Sequence, residues 1–147
     1  METHLARALR ALDIIGGPET TGGPAEGEMD LVHLVRRGLP VRALQHVIDT
    51  GRLTRAEVDS VIVPRKTLAN RRRLGTLTQD QSDRLLRVAR VLAAAELAFG
   101  SREKAGEWLR RPTAPLNGER PLDMLDTDEG TRQVEALLGR IAHGIAA

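Results

Sequence analysis

Residues 53–73 constrain this chain more than any other stretch. They read LTRAEVDSVIVPRKTLANRRR: a short helical segment, a tight break at Pro64, then a second short helix. The second helix carries Arg65, Lys66, Arg71, Arg72 and Arg73 and no acidic residue, although the formal net charge of all 147 residues is only +2. Two short helices joined by a Pro-marked turn make a helix-turn-helix. A second helix charged in this way suits the major groove of DNA, where phosphates attract arginines and polar side chains reach base edges. Thr67 and Asn70, spaced i and i+3, are expected to share a face with Arg71. Asn bonds an adenine edge, Arg a guanine edge, and Thr a base or a phosphate. The candidate DNA contacts are therefore Arg65, Lys66, Thr67, Asn70, Arg71, Arg72 and Arg73, with Arg65 and Lys66 placed for phosphates at the helix entrance. A solvated charged helix, or a protein-interaction module of the same shape, is the competing reading. One such module is too small to be selective on DNA, so a homodimer reading half-sites about 34 Å apart is expected.

The rest of the chain reads as helices separated by short joints. Aromatic residues are nearly absent, Phe99 and Trp108 standing alone, so Leu, Ala and Val must fill the core and an all-α fold is favoured. A first amphipathic helix is expected over residues 1–15, with Leu5, Leu9 and Leu12 on one side. Residues 16–28 hold two Gly-Gly-Pro triplets and Gly27, offer little to bury, and read as a mobile arm. Asp30 is expected to cap a helix closed by Gly38, and Pro40 to open another closed by Gly51. Thr54 with Glu57, and Thr78 with Gln81, match capping boxes. Leu68 is the expected anchor of the basic helix. The longest helix then carries Leu85, Val88, Ala89, Leu92 and Phe99 as its inner stripe, Ser101 caps the next, and Thr127 opens the last, with Val134, Leu137, Leu138 and Ile141 facing inward. This gives 1–29 as an amino-terminal helix and flexible arm, 30–76 as the helix-turn-helix domain and 77–147 as a second helical domain.

Nothing in the sequence assembles a catalytic or metal centre. With no cysteine there is no disulfide or thiolate site, and His4, His33, His46 and His143 are scattered without ligand spacing. No glycine-rich phosphate loop follows a strand pattern, and Asp123, Asp126, Asp128 and Glu129 are explained by helix starts. No catalytic residue, cofactor or metal is expected. With no signal peptide and no spanning segment, a cytoplasmic protein without membrane contact is expected.

Several strings in the second half resemble a known family. Leu77-Thr78, Ser82-Asp83-Arg84-Leu85 and Ala89-Arg90-Val91-Leu92 are similar to the opening helix of the toxin-binding domain of Xre/MbcA/ParS-type antitoxins. Phe99-Gly100-Ser101 through Ala105, Trp108-Leu109, Leu116-Asn117-Gly118, Pro121-Leu122 and Leu125-Asp126-Thr127 extend the match. The closing Val134-Glu135, Leu138-Gly139-Arg140-Ile141 and His143-Gly144 look like that family's last helix. Pro64-Arg65-Lys66-Thr67-Leu68 resembles the start of its recognition segment. The likeness covers roughly residues 39–147. It implies the antitoxin of a RES-Xre type II toxin–antitoxin pair, with an Xre-like helix-turn-helix module followed by a small helical toxin-binding domain. The implied partner is a RES-domain toxin that consumes NAD, blocked by direct contact near its active-site entrance, and the implied second role is repression of the antitoxin's own operon. On that reading Arg140, His143, Gly144, Ile145, Ala146 and Ala147 contact the toxin. Small terminal residues fit a narrow cleft, and the Arg140 guanidinium supplies a planar hydrogen-bonding fork. The alternative is a stand-alone dimeric helix-turn-helix transcription regulator whose second domain only dimerises.

Overall fold

A computed structural model describes residues 3–144, and among these the chain is helical throughout, with one isolated backbone bridge between Pro40 and Thr76. It divides between Arg90 and Val91 into two compact units.

The first unit contains α1 (His4–Ile14), α2 (Pro18–Thr21), α3 (Glu28–Arg37), α4 (Val41–Asp49), α5 (Arg55–Val61), α6 (Arg65–Leu74) and the first part of α7 (Gln79–Phe99). Local capping sets several starts. The Glu57 N–H donates to Thr54 Oγ1 and the Thr54 N–H to Glu57 Oε1, at 3.1 and 2.8 Å. Thr78 and Gln81 repeat the arrangement at 3.1 and 2.9 Å. Both capping boxes expected from the sequence are present. Pro40 and Pro64 precede α4 and α6 in extended conformation, where their missing N–H leaves no helix bond unmade.

Two features of this unit depart from the sequence reading. Asp30 is not the N-cap residue of α3: Gly27 is, the helix starts at Glu28, and the Asp30 carboxylate, one turn in, caps from within by accepting the Glu26 and Gly27 N–H groups. Those two bonds hold its pKa below the ordinary 3.8. Residues 16–28, expected as a mobile arm, hold α2 instead. Thr21 is buried with its Oγ1 donating to the Gly17 carbonyl, and Arg37 and Arg42 donate to the Thr21 and Thr20 carbonyls at 3.4 and 3.0 Å. Backbone carbonyls supply these contacts, so a count of apolar side chains misses them.

The chain beyond α6 returns to the residues before α4. Val41 N–H donates to Gly75 O at 3.0 Å, and Leu77 N–H to Leu39 O at 2.8 Å. This close pass requires Gly38: its φ is +93°, and a Cβ there would lie 2.3 Å from the Leu77 carbonyl oxygen. Leu39 N–H donates to the fully buried Ser82 Oγ at 2.8 Å. These bonds, with buried Leu77 and Leu85, group residues 77–90 with the helix-turn-helix rather than with the second domain, so the division lies inside α7 and not between 76 and 77.

The second unit holds the end of α7, then α8 (Arg102–Leu109), two 3-10 turns (Ala114–Leu116 and Pro121–Asp126) and α9 (Asp128–Ala142). Ser101 Oγ accepts from Lys104 N–H, and Thr127 Oγ1 from Gly130 N–H, capping α8 and α9 as the sequence indicates. Leu122 and Leu125 of the second turn are buried, as are Val134, Leu137 and Leu138 of α9. Gly130 allows α9 and that turn to touch, because a Cβ there would sit 2.0 Å from the Met124 carbonyl oxygen. Phe99 and Trp108 stack at 5.5 Å with their rings tilted by 38°.

Candidate functional site

The helix-turn-helix is α5, the turn Ile62-Val63-Pro64, and α6. Ile62 and Val63 are buried, so the turn is fixed by packing as well as by proline. The Arg65 N–H donates to Asp59 Oδ1, tying the first turn of α6 back to α5. Leu68 is the one buried side chain of α6, as expected of the anchor. With 3.6 residues per turn, the face opposite Leu68 carries Lys66, Asn70 and Arg73. Arg65, Lys66, Thr67, Asn70, Arg72 and Arg73 are exposed.

The five cations of α6 are not equivalent. Arg71 is half-buried, and its Nε donates to the Thr76 carbonyl at 2.7 Å. Arg72 donates to Gln45 Oε1 at 3.1 Å, and Gln45 Nε2 donates onward to Asp49 Oδ1 at 2.8 Å. Arg73 donates to Asn70 Oδ1 on the outer face. Arg65 and Lys66, at the entrance of α6, have side chains without a hydrogen-bond or ion-pair partner among the described residues. Gln45 was not anticipated from the sequence. Its link to Arg72 spans 27 positions, and no local pattern signals it.

The second region is the end of α9. Arg140 and His143 are exposed and have no partner among the described residues; Gly144 is exposed, with φ at +71°. Ile145, Ala146 and Ala147 lie outside the described residues. Upstream, Arg132 pairs with Asp128 at 3.0 Å on the helix surface. Gly139, in the body of α9, is exposed, and a Cβ there would meet nothing within 4 Å. The fold does not demand glycine at this position, and apart from the family string no local pattern singles it out.

Among the described residues, no group of three or more His, Asp or Glu side chains is placed to hold a metal, and no helix is long and apolar enough to cross a membrane.

Comparison with known proteins covers the stretches that hold both regions. Residues 30–90 match the antitoxin Xre-like helix-turn-helix domain, and residues 93–144 match the antitoxin Xre/MbcA/ParS C-terminal toxin-binding domain. The chain is 43% identical over 108 residues to the antitoxin Xre of Pseudomonas putida, covering 73% of this chain and 67% of that protein. It is 31% identical over 131 residues to the antitoxin Xre of Photorhabdus laumondii, covering 87% and 88%. A Prs ADP-ribosylating antitoxin of a Sphingobium species is 24% identical over 130 residues, covering 81% and 82%.

Proposed function

The chain belongs to the Xre/MbcA/ParS antitoxin family, a family of binding and regulatory proteins rather than enzymes, and we propose that it neutralises a RES-domain toxin that consumes NAD. On this reading the second unit binds the toxin and occludes its active-site entrance. The first unit binds operator DNA as a homodimer and represses transcription of its own operon, in the cytoplasm.

The observation that carries the proposal is the coincidence of the toxin-binding match, 93–144, with the second compact unit. α9 fits the role. Its inner face is committed to Val134, Leu137 and Leu138, while Arg140 and His143 present free polar ends, and Gly139 leaves room for another backbone to approach. Arg140 would meet acidic or carbonyl groups at the cleft mouth. The small residues Gly144, Ala146 and Ala147, with Ile145, would enter the cleft. That the Sphingobium relative is named a Prs ADP-ribosylating antitoxin supports a partner using the ADP-ribose of NAD. For the first unit, the exposed Arg65, Lys66, Thr67, Asn70 and Arg73 offer phosphate contacts and base readers on one exposed helix. Arg71 and Arg72, already engaged within the chain, would hold α6 in position.

Co-expression with the adjacent open reading frame tests the antitoxin role. The chain should restore growth, hold cellular NAD, and co-purify with the neighbouring product. Deleting Ile145, Ala146 and Ala147 should weaken inhibition at least tenfold while leaving the melting temperature unchanged. An unaltered inhibition constant after that deletion removes the blocking tail, and absence of any complex removes the antitoxin reading itself.

A further inference from the structure

α5 and α6 meet along a groove of about 390 Å³. Its floor is apolar, formed by Val58, Val63 and Leu68, and its rim carries three guanidinium groups: Arg55 on α5, Arg65 and Arg72 on α6. Helical spacing explains the convergence. Residues 55 and 58 share one face of α5, and residues 65, 68 and 72 share one face of α6. One carboxylate, Asp59, also stands on the rim, but its Oδ1 accepts the Arg65 backbone N–H and so faces the first turn of α6. Three cations against one engaged acid leave the groove positive.

The guanidiniums of Arg55 and Arg65 have no hydrogen-bond acceptor among the described residues, whereas Arg72 donates to Gln45. Free cations over an apolar floor suit a ligand with a fixed negative charge beside a non-polar flank. A phosphodiester with its deoxyribose has that form. An acidic peptide brings the same charge, but its own backbone donors and acceptors would find no partners on this floor. In a helix-turn-helix the second helix occupies the major groove while the first crosses the sugar–phosphate backbone, which places α5 over phosphates.

We infer that this groove seats a backbone phosphate beside the DNA segment faced by α6, and that Arg55, outside the α6 cluster, is a direct contact to it. The inference rests on the reading of the first unit as a DNA-binding module. It assigns Arg55 a positioning role on DNA with no part in reading sequence.

Equilibrium binding of the full chain tests it, using the promoter duplex upstream of its gene and an unrelated duplex of equal length, across a salt series. Each phosphate contact adds about 0.9 to the slope of log K against log salt. The homodimer loses two such contacts, so Arg55→Gln should flatten that slope by about 1.8, and its affinity deficit should shrink about 12-fold for each roughly fourfold rise in salt. The deficit should be equal on both duplexes. Arg55→Lys, which keeps the charge, should retain the wild-type slope. Arg55 is exposed, so neither change disturbs the core. An unchanged slope for Arg55→Gln with DNA binding intact overturns the groove assignment alone. A deficit confined to the promoter duplex makes Arg55 a base reader and overturns it too. A variant that keeps its slope but loses the toxin assigns the groove to a protein. Failure of the wild type to bind either duplex removes the DNA reading, and the inference with it.

Discussion

Alanine at Gly139 and alanine at Gly130 should move the stability of the second unit in opposite directions, although both glycines lie in α9. In an unconstrained helix, replacing Gly by Ala stabilises by roughly 0.8–1.0 kcal/mol, because glycine loses more backbone freedom on folding. At Gly139 a new Cβ meets nothing within 4 Å, so most of that gain should appear, about 0.5–1 kcal/mol near the helix end. At Gly130 the Cβ would lie 2.0 Å from the Met124 carbonyl oxygen, 2.9 Å from its carbon and 3.0 Å from Thr127 Oγ1. None of these is a flexible side-chain tip. The carbonyl belongs to the 3-10 turn, and Thr127 Oγ1 already accepts the Gly130 N–H. α9 must back away from the turn by about an ångström, an overpacking cost of about 1–3 kcal/mol, at its upper end because backbone is struck. The net loss should be about 2 kcal/mol after the propensity gain. Scanning calorimetry should show Gly130→Ala melting about 4–8 °C lower, and Gly139→Ala about 1–3 °C higher. If Gly130→Ala melts higher than wild type, the close contact between α9 and the turn is wrong. The Gly139 variant carries a second readout. If a toxin backbone approaches there, the added methyl should weaken the complex about tenfold even though the free chain is more stable. Unchanged toxin affinity would remove Gly139 from the contact.

Three other perturbations follow from the same geometry. Gly38→Ala forces a side chain onto φ +93° and against the Leu77 carbonyl, and should cost about 2–4 kcal/mol in urea unfolding. Leu68→Ala empties the anchor under α6; it should cost about 2–3 kcal/mol, less than a sealed core site because the groove wall can relax, and weaken DNA binding on any duplex. Asp123 is held below its ordinary 3.8 by the Arg120 guanidinium, which donates to both carboxylate oxygens at 2.8 and 2.9 Å. A depressed folded-state pKa gives stability that is present above the unfolded value and lost as pH falls toward and through the lower folded value, so a small melting-temperature advantage over Asp123→Asn at about pH 5 should shrink steadily once the pH drops below the ordinary 3.8.

Helix starts were legible because capping is local. Thr54 with Glu57, Thr78 with Gln81, and Thr127 with Gly130 each close within three residues, so the residues that make the bond sit in one short string. The anchor role of Leu68 was legible for a similar reason: it is the lone large apolar residue in the body of a polar helix. What the sequence hid was long-range or made by backbone. The Leu39–Ser82 bond spans 43 positions and moves the division of the chain into α7. α2 is held by carbonyl acceptors that every residue type possesses, so its composition reads as a loose arm.

The basic cluster shows the same limit where it matters for function. In the sequence, Arg65, Lys66, Arg71, Arg72 and Arg73 count as five equal cations. In the fold, Arg71 serves the Thr76 carbonyl, Arg72 serves Gln45 and Arg73 serves Asn70, while Arg65 and Lys66 remain uncommitted. Arg55, a lone cation on α5 and no part of any run, joins Arg65 at the groove. Counterion release counts phosphates actually neutralised, not cations present. Five equal contacts would give a salt slope near about −4.5 per protomer, whereas Arg55, Arg65 and Lys66 alone give about −2.7. A measured slope near the larger figure would mean that the arginines at the end of α6 leave their partners in the chain when DNA binds. A slope near the smaller one would mean that they stay, holding the helix for the residues that touch the backbone.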